Sequence, residues 1–489
     1  MPTSLFQYEM LPTTWFYLSS LMIIAIFFKF NRFLSIRNLD LVGLVFITPG
    51  LLFLSMSRDK WGYVWLFAAG FILICRLLLD LIMVRRPLLE PNLNPSGITF
   101  AGILLLGFML TNIGLNRGEA VQSVDTLRLE QILTIREWNQ EGQDREESPP
   151  LKGKTRLKQS GFPPFFLLVD ATNQVLAPQH SITRLIPASK EEEGNFPPES
   201  EKTLEGSPPL LMENPVLEKI DPLSFSIEIP VREETAVTPP EPQRRFWQEL
   251  LAIGCVGMVQ IAIALGLINI AHCHFNNIYT GVSAATLYFL LPYTNQMTGR
   301  LDHIVPAAFL VWAVAMYRRP VFSGICLGLA SVFVYYPFFL VPLWCSFYWR
   351  RGMFRFLAGT AGIILLFYGL LAFSPRSLGS YSDQFLNMLG VNSFFMSAVD
   401  GFWNFYPTSY RIPVMAVFFI VCLGMLIWPA RKNLATLLVC SAILLVGAQF
   451  WKGYQGGLFM AWYLPLLLLI FFRPNLEDRV ASAMVKSLP

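Results

Sequence analysis

Long runs of apolar residues, separated by short polar turns, constrain this chain more than any other feature of its sequence. A helix that crosses the hydrocarbon layer of a membrane needs about 20 predominantly apolar residues. By that measure the sequence predicts eleven full spans, at 13–29, 39–56, 61–84, 97–115, 247–270, 278–293, 304–317, 356–373, 412–428, 434–450 and 457–472. We therefore expect an all-α polytopic membrane protein.

The apolar stretch 321–348 is predicted to fold differently, because Tyr335-Tyr336-Pro337 interrupts it. Proline lacks the backbone N–H that a helix interior requires, and it disfavours helical conformation in the residue before it. We expect two short antiparallel half-spans that meet at this break, with the two tyrosines at an exterior tip.

The positions of Lys and Arg predict the orientation of the spans, because cytoplasmic loops carry an excess of these residues. With the N-terminus outside and the C-terminus cytoplasmic, every strong basic cluster falls on the cytoplasmic side. The clusters are Lys29/Arg32/Arg37, Arg85/Arg86, Arg318/Arg319, Arg350/Arg351/Arg355, Arg431/Lys432 and Arg473. This orientation requires the 321–348 hairpin to return to the side it left. The sequence thus predicts a multi-pass protein of the plasma membrane, which for the family resembled below is a bacterial inner membrane.

Composition supports this class and excludes others. Hydrophobic residues make up 54% of the chain and charged residues only 14%, with a mean hydropathy of +0.48, which excludes an ordinary soluble enzyme. No basic cluster lies on a polar surface suited to nucleic acid, so nucleic acid is not expected as a partner. The sequence has no phosphate-binding loop and no dinucleotide fingerprint, and no cofactor is expected.

A polar insert separates two membrane regions. Residues 117–245 hold 22 of the 33 acidic residues, and 16 of the 34 prolines fall in 116–245, a composition that favours flexibility over a packed core. A small β element is expected near 165–176, where two apolar runs flank a turn. The predicted organisation is an N-terminal four-span region (1–116), a periplasmic insert (117–245), a C-terminal membrane core (246–475) and a cytoplasmic tail (476–489).

Charged residues at the start of the 304–317 span are candidates for function, because ionisable groups at membrane depth are costly. Asp302 and His303 follow Arg300 there. A carboxylate beside an imidazole suits general-base attack by a sugar hydroxyl, and an arginine suits a phosphate oxygen. The alternative is that Arg300 and Asp302 mark the water interface and His303 caps the helix.

Other polar residues have simpler interpretations. Arg76 and Asp80, four residues apart in one span, are predicted to form a structural ion pair. His272-Cys273-His274 could supply metal ligands, but neighbours on a helix point about 100° apart, and no metal site is expected. The aromatic-rich loop 374–411 is interpreted either as a cover over a lipid-linked substrate or as an ordinary aromatic belt.

Several short motifs between residues 280 and 355 form one recognisable series. They are Leu287-Tyr288-Phe289-Leu290-Leu291-Pro292-Tyr293, Gly299-Arg300-Leu301-Asp302, Tyr317-Arg318-Arg319-Pro320, Gly324, Gly328-Leu329-Ala330, Tyr336-Pro337 and Leu340-Val341-Pro342-Leu343. The series resembles the core of the integral-membrane glycosyltransferases of the GT-C class that use polyprenyl-phosphate sugars, in particular a bacterial mannosyltransferase-like family. The resemblance covers some 15% of the chain.

The chain departs from that family at two positions that matter for phosphate binding. The family's glutamine falls at Arg300, and its lysine before the Tyr-Pro step falls at Val334. Arg300 or Arg376 is the candidate replacement for the missing base. The family's acid in the first exterior loop has no clear equivalent here; Glu9, Asp59 and the acids of the insert are the candidates.

The resemblance implies transfer of a sugar from a polyprenyl-phosphate donor to an acceptor at the periplasmic face. On this hypothesis Asp302 and His303 are catalytic, and Arg300, Tyr335, Tyr336 and Arg376 contact the substrate. The partners are then membrane lipid and a polyprenyl-phosphate-linked sugar. The alternative is a non-catalytic polytopic protein, either a lipid or saccharide transporter or an assembly scaffold, that retains only the packing of the family core.

Overall fold

A computed structural model describes residues 12–83, 88–115, 242–296, 301–370, 386, 401–429, 432–453, 455–474, 476 and 480. Within these residues the regular structure is entirely helical, with no strand. The β element predicted near 165–176 lies outside the described residues. Nearly all of the polar insert lies outside them as well.

The helices follow the apolar runs. The N-terminal region contains α1 (Pro12–Phe27), α2 (Ile36–Val45), α3 (Thr48–Ser55), α4 (Asp59–Asp80) and α5 (Pro95–Leu115). The next group contains α6 (Pro242–Phe275), α7 (Ile278–Leu290), α8 (Pro292–Gln296), α9 (Leu301–Ala315) and α10 (Pro320–Phe333). The last group contains α11 (Val341–Phe347), α12 (Met353–Leu370), α13 (Arg411–Ile427), α14 (Leu434–Trp451) and α15 (Leu464–Phe472).

Six helical stretches among the described residues are long and apolar enough to cross a membrane, and they indicate a membrane protein. The six are Ile36–Ser55, Asp59–Asp80, Pro95–Gly114, Ile253–Phe275, Met353–Leu370 and Leu434–Trp451. The other apolar helices are shorter than a full span. Short 3-10 turns and irregular segments interrupt the chain between them, which is why apolar length alone predicted longer helices.

The apolar stretch 321–348 is not one continuous helix, and its interruption lies where Pro337 predicted it. Helix α10 ends at Phe333, Val334 is extended, and a 3-10 helix, Tyr336–Leu340, leads into α11. The hydroxyl of Tyr348, the last residue of the stretch, donates a 2.6 Å hydrogen bond to the carbonyl of Tyr317, which precedes the stretch. The chain therefore returns to the place where the stretch began. Tyr335 and Tyr336 are both buried, and their placement at an exterior tip stays a prediction. They are buried because neighbouring aromatic rings cover them.

The predicted span 457–472 is not helical along its whole length, and the predicted start is wrong. Helix α15 begins only at Leu464, after an irregular segment and the short 3-10 helix Met460–Trp462. Gly457 has a φ of +95°, a conformation that favours glycine, and Pro465 occupies the first turn of the helix, where its missing N–H costs nothing. The irregular segment contacts the last turns of α14, where the backbone N–H of Gly457 donates a 3.2 Å hydrogen bond to Oε1 of Gln449.

Three buried side chains and one partly buried side chain form an ionic cluster at one end of the bundle: Asp40, Asp80 and Arg473 are buried, and Arg76 is partly buried. Arg76 binds both carboxylate oxygens of Asp40, with Nε–Oδ1 at 2.5 Å and Nη2–Oδ2 at 2.8 Å. The predicted pair with Asp80 is present at a longer 3.4 Å. Asp80 also accepts a 2.6 Å bond from Arg473. The cluster therefore joins three segments of the chain that are distant in sequence.

Candidate functional site

A second group of buried cations lies where α14 ends. Lys452 directly follows this helix, and only 7% of it is exposed. Its Nζ lies 2.9 Å from the ring centroid of Phe459, 4.7 Å from that of Trp462 and 5.1 Å from that of Tyr336. Aromatic faces attract a cation through the negative charge of their π systems, more strongly when water is excluded. These rings stabilise the buried ammonium group.

Arg411, at the start of α13, is the second cation and is 5% exposed. Its Nε donates a 2.5 Å hydrogen bond to the carbonyl of Trp451, and its guanidinium lies 5.9 Å from the centroid of the Trp451 ring. The last carbonyls of a helix have no partner within the helix and carry a partial negative charge. Arg411 therefore caps the carboxyl end of α14 at Trp451, the residue before Lys452.

A tryptophan side chain attaches the segment before α13 to the same helix end. The indole Nε1 of Trp403 donates a 2.9 Å hydrogen bond to the carbonyl of Phe450. The neighbouring ring of Phe402 stacks on Phe67 of α4 at 3.9 Å. These contacts place the 401–411 segment, and with it Arg411, over the end of α14.

His303 lies in the same neighbourhood and is fully buried. The hydroxyl of Tyr293 is 2.6 Å from its Nδ1, and its ring stacks on Phe459 at 4.2 Å. Phe459 is the ring closest to the Lys452 ammonium group. One aromatic ring thus contacts both the imidazole and the lysine.

The two tyrosines of the proline break complete the group. The ring of Tyr336 lies 4.9 Å from Trp462 and 5.4 Å from Trp451, and Tyr335 packs on Tyr336 at 4.0 Å. We refer to Tyr336, Arg411, Trp451, Lys452, Phe459 and Trp462 as the cation cluster. It draws side chains from the break after α10, from α13, from the end of α14 and from the irregular segment before α15.

Three of the six residues predicted for the site, His303, Tyr335 and Tyr336, lie in or against this cluster. Asp302 lies in the first turn of α9, directly before His303, and its side chain is outside the described part of the chain. Arg300 and Arg376 are also outside the described residues. The position of Val334, where the resembled family has a lysine, directly precedes the two tyrosines.

Sequence reasoning missed Lys452 and its partners Phe459 and Trp462. A signal was available, because Lys452 is the only charged residue between 433 and 472. A lone ionisable group in a long apolar stretch is by default a candidate for function. Lys452 lies in the short gap between the predicted spans 434–450 and 457–472, where a charged residue is common and does not stand out.

Two buried cations beside a wall of aromatic rings suit an anionic group attached to a large apolar or sugar moiety. Arginine presents several N–H donors in a plane, and lysine supplies a compact charge, so together they match the oxygens of a phosphate. In a site from which water is excluded, such charges act strongly on an anion.

Among the described residues, no group of three or more His, Cys, Asp or Glu side chains could hold a metal ion. At the far end of α6, the Nε2 of His274 lies 3.0 Å from the carbonyl of Ala315, a contact that ties α6 to α9.

No protein-family model, no curated protein and no solved structure matches this chain. The arrangement of its own side chains is therefore the basis on which a function is assigned.

Proposed function

We propose that the protein is a GT-C-like glycosyltransferase that moves a sugar from a polyprenyl-phosphate donor to an acceptor at the periplasmic face of a bacterial inner membrane. One observation carries this proposal: Lys452 and Arg411 lie beside the Tyr336 break, within one aromatic cluster. The resembled family has its lysine at the position of Val334. In this chain Lys452, which comes from a distant segment, supplies a cation beside the break at Tyr336.

The cation cluster is assigned to the phosphate of the donor. Lys452 and Arg411 balance the charge that develops on the phosphate as its bond to the sugar breaks. The rings of Phe459 and Trp462, 4.6 Å apart, provide a flat apolar surface beside that phosphate. Aromatic surfaces of this kind favour large, weakly polar groups over small hydrated ions.

In the proposed reaction the acceptor hydroxyl attacks the anomeric carbon of the donor sugar. The carboxylate of Asp302 takes the hydroxyl proton, a new carbon–oxygen bond forms, and the bond between the sugar and the phosphate breaks. Polyprenyl phosphate leaves with the electron pair of that bond. His303, fixed by Tyr293 and Phe459, is assigned to hold the reacting groups in place.

The proposed topology comprises eleven spans and the broken hairpin, with the N-terminus outside and the C-terminus cytoplasmic. Contacts between helix ends support it. Residues expected on the cytoplasmic side contact one another, as in the hydrogen bonds from Leu89 N to Phe471 O and from Tyr279 Oη to Leu93 O. Residues expected on the outer side do so as well, as in the bond between Asn112 and Asn295.

The test is a transfer assay on purified protein in lipid, with a panel of radiolabelled polyprenyl-phosphate sugars. We expect Lys452→Met to lower transfer about 100-fold, because one positioned charge contributes about 3 kcal/mol to the transition state. The matched control is Lys432→Met. Lys432 contacts the carbonyls of Leu426 and Pro429 in a turn at the other end of α14, and its loss should leave transfer unchanged.

The outcomes separate the proposal from its alternative. If the wild type transfers sugar and only Lys452→Met is impaired, the enzyme function is supported. If the wild type neither transfers nor hydrolyses any donor in the panel, the glycosyltransferase proposal is wrong, and a transporter or scaffold function takes its place. Equal activity of the two lysine variants would overturn the assignment of the phosphate to the cation cluster.

A further inference from the structure

We infer that five arginines at the start of α10 and α12 form a binding surface for the headgroups of anionic phospholipids. We refer to them as the arginine surface, which consists of Arg318, Arg319, Arg350, Arg351 and Arg355. The inference does not depend on the proposed transfer reaction. It adds a second ligand to the protein, a phospholipid that is neither the donor nor the acceptor of a sugar.

The arginine surface and the cation cluster lie at opposite ends of α10. Arg319 directly precedes this helix, whereas Tyr336 lies shortly after its end. At a rise of 1.5 Å per residue, the 14 residues of α10 span about 21 Å. A ligand bound at the arginine surface is therefore separate from one bound at the cation cluster.

The fold brings the two loops that carry these arginines together. Helices α10 and α12 run in the same direction, and the hydroxyl of Thr360 donates a 3.1 Å hydrogen bond to the carbonyl of Gly324. A Cβ atom on Gly328 would lie only 3.0 Å from the carbonyl oxygen of Thr360. Where both helices begin, a Cβ atom on Gly352 would lie 3.0 Å from Cγ of Pro320. The arginines that precede the two helices therefore flank one contact.

The charge of this surface is not balanced by nearby acids in the sequence. All five arginines are exposed, and the chain has no Asp or Glu from 303 to 382. By contrast, Lys29 at the end of α1 lies 3.7 Å from Glu90. The amino ends of α10 and α12 add the partial positive charge of two helix dipoles. The start of these helices therefore presents a positive potential to an anion.

The backbone of Arg350 provides independent support for a binding role. Its φ is +60°, in the left-handed region that glycine adopts at little cost and other residues rarely adopt. Non-glycine residues held in this region cost stability and often lie at functional sites. A loop that served only as an orientation signal could carry its positive charge at an unstrained position. The guanidinium of Arg350 is thus retained at a cost to the fold.

The surroundings of the arginines indicate a lipid rather than a soluble anion. Helix α12 is one of the stretches long and apolar enough to cross a membrane, so its start lies at headgroup level. Beside the arginines, large apolar side chains are exposed: 53% of Phe322, 60% of Trp349 and 80% of Phe354. Basic pockets between spans bind anionic headgroups, and tryptophan favours the same layer. Exposed rings beside cations match a ligand with a charged head and apolar chains.

The first test measures lipid binding to the purified full-length protein in detergent. The protein is titrated with phosphatidylglycerol and with phosphatidylcholine of the same acyl chains, and bound lipid is counted by native mass spectrometry. We expect the wild type to bind phosphatidylglycerol at least about tenfold more tightly. Arg319→Gln/Arg355→Gln should raise the Kd of phosphatidylglycerol about 30-fold, because each cation near the headgroups contributes about fivefold.

A matched control removes the same charge at the other end of the bundle. Arg58 and Lys60 are exposed at the start of α4, the helix whose Phe67 stacks on Phe402 near the cation cluster. Arg58→Gln/Lys60→Gln should leave the Kd of phosphatidylglycerol unchanged. An equal rise in Kd for both double variants would mean that net charge alone attracts the lipid, and would overturn the inference.

The second test uses the strained backbone of Arg350. Arg350→Gly should raise the Kd of phosphatidylglycerol about fivefold and at the same time raise the melting temperature, because glycine adopts a positive φ without strain. Arg350→Gln should weaken binding to the same extent without the gain in melting temperature. A residue with only a structural role would not separate binding from stability in this way.

The remaining outcomes are decisive as well. Equal binding of phosphatidylglycerol and phosphatidylcholine, or wild-type affinity in Arg350→Gly, overturns the inference. If inorganic phosphate displaces phosphatidylglycerol at equal concentration, the surface binds soluble anions and the assignment to lipid is wrong. A protein that binds phosphatidylglycerol through these arginines but transfers no sugar supports the arginine surface and refutes only the proposed transfer function.

Discussion

The two groups of charged residues differ in the described contacts that stabilise their cations. In the ionic cluster, Arg76 and Arg473 contact the carboxylates of Asp40 and Asp80. In the cation cluster, Lys452 contacts aromatic rings, and Arg411 contacts a helix-terminal carbonyl and a ring. Carboxylates neutralise a guanidinium, whereas rings and carbonyl dipoles stabilise a cation and leave its formal charge in place.

On the proposed function, this difference in contacts separates a structural role from a functional one within a single bundle. A neutralised group has little further attraction for a charged ligand, and its main effect is on folding. A cation held by rings keeps its attraction for an anion. The distinction predicts that substitutions in the ionic cluster change stability, and that substitutions in the cation cluster change activity.

The largest expected effect is a loss of protein stability caused by a substitution in the ionic cluster. Arg473→Met removes a fully buried cation from Asp80, and breaking a buried pair from one side costs about 3–5 kcal/mol. Unfolding in detergent, followed by heat or denaturant, measures the loss. The double variant Arg473→Met/Asp80→Asn should recover part of it. A single variant as stable as the wild type would show that this pair does not hold the fold.

The next effect separates chemistry from stability. Asp302→Asn keeps the size of the side chain and removes the proposed base, so transfer should fall at least about 100-fold, the low end of the range for general-base catalysis. The melting temperature should stay within a few degrees of the wild-type value. Retained transfer would return the search for the base to Glu9, Asp59 and the insert.

A matched pair of conservative exchanges tests the comparison itself. Arg76→Lys replaces a guanidinium that binds both carboxylate oxygens of Asp40 with a point charge. It should cost about 1–2 kcal/mol of stability without a specific effect on transfer. Arg411→Lys keeps the charge and loses the bond to the Trp451 carbonyl, and it should lower transfer about tenfold. Transfer lost in the first variant and retained in the second would reverse the assigned roles.

The smallest effect concerns the attachment of the 401–411 segment. Trp403→Phe removes the hydrogen bond to the Phe450 carbonyl and should cost about 1 kcal/mol of stability, with a modest rise in the apparent KM for the donor. Trp428→Phe, at a tryptophan that is largely exposed, is the control. Equal behaviour of the two variants would remove Trp403 from the support of the site.

The sequence predicted the helical class and the bounds of some helices well, because these depend on local information. Apolar runs set the bounds of α4 and α14 to within about four residues, and Pro337 marked the break. The pairing of Arg76 with Asp80 followed from their spacing on one helix turn. Its stronger partner Asp40 is 36 residues away and could not be found from helix spacing.

The site could be predicted only in part, since it depends on contacts between distant segments. His303 and the two tyrosines were found because an ionisable group and a proline stand out within apolar runs. Lys452 lies 116 positions after Tyr336, and only the packing of α14 against the break brings the two together. No periodicity or spacing in the sequence encodes that contact.

The bond between Asp80 and Arg473 also has a consequence for how the protein is made. The two residues are 393 positions apart, so the ribosome synthesises Asp80 long before its guanidinium partner. Of the two basic partners of Asp80 described above, only Arg76, at 3.4 Å, has been synthesised until then. Chains that stop before residue 473 would expose this acidic group to the quality-control machinery of the membrane. Arrival of the last helix thus completes the first ones.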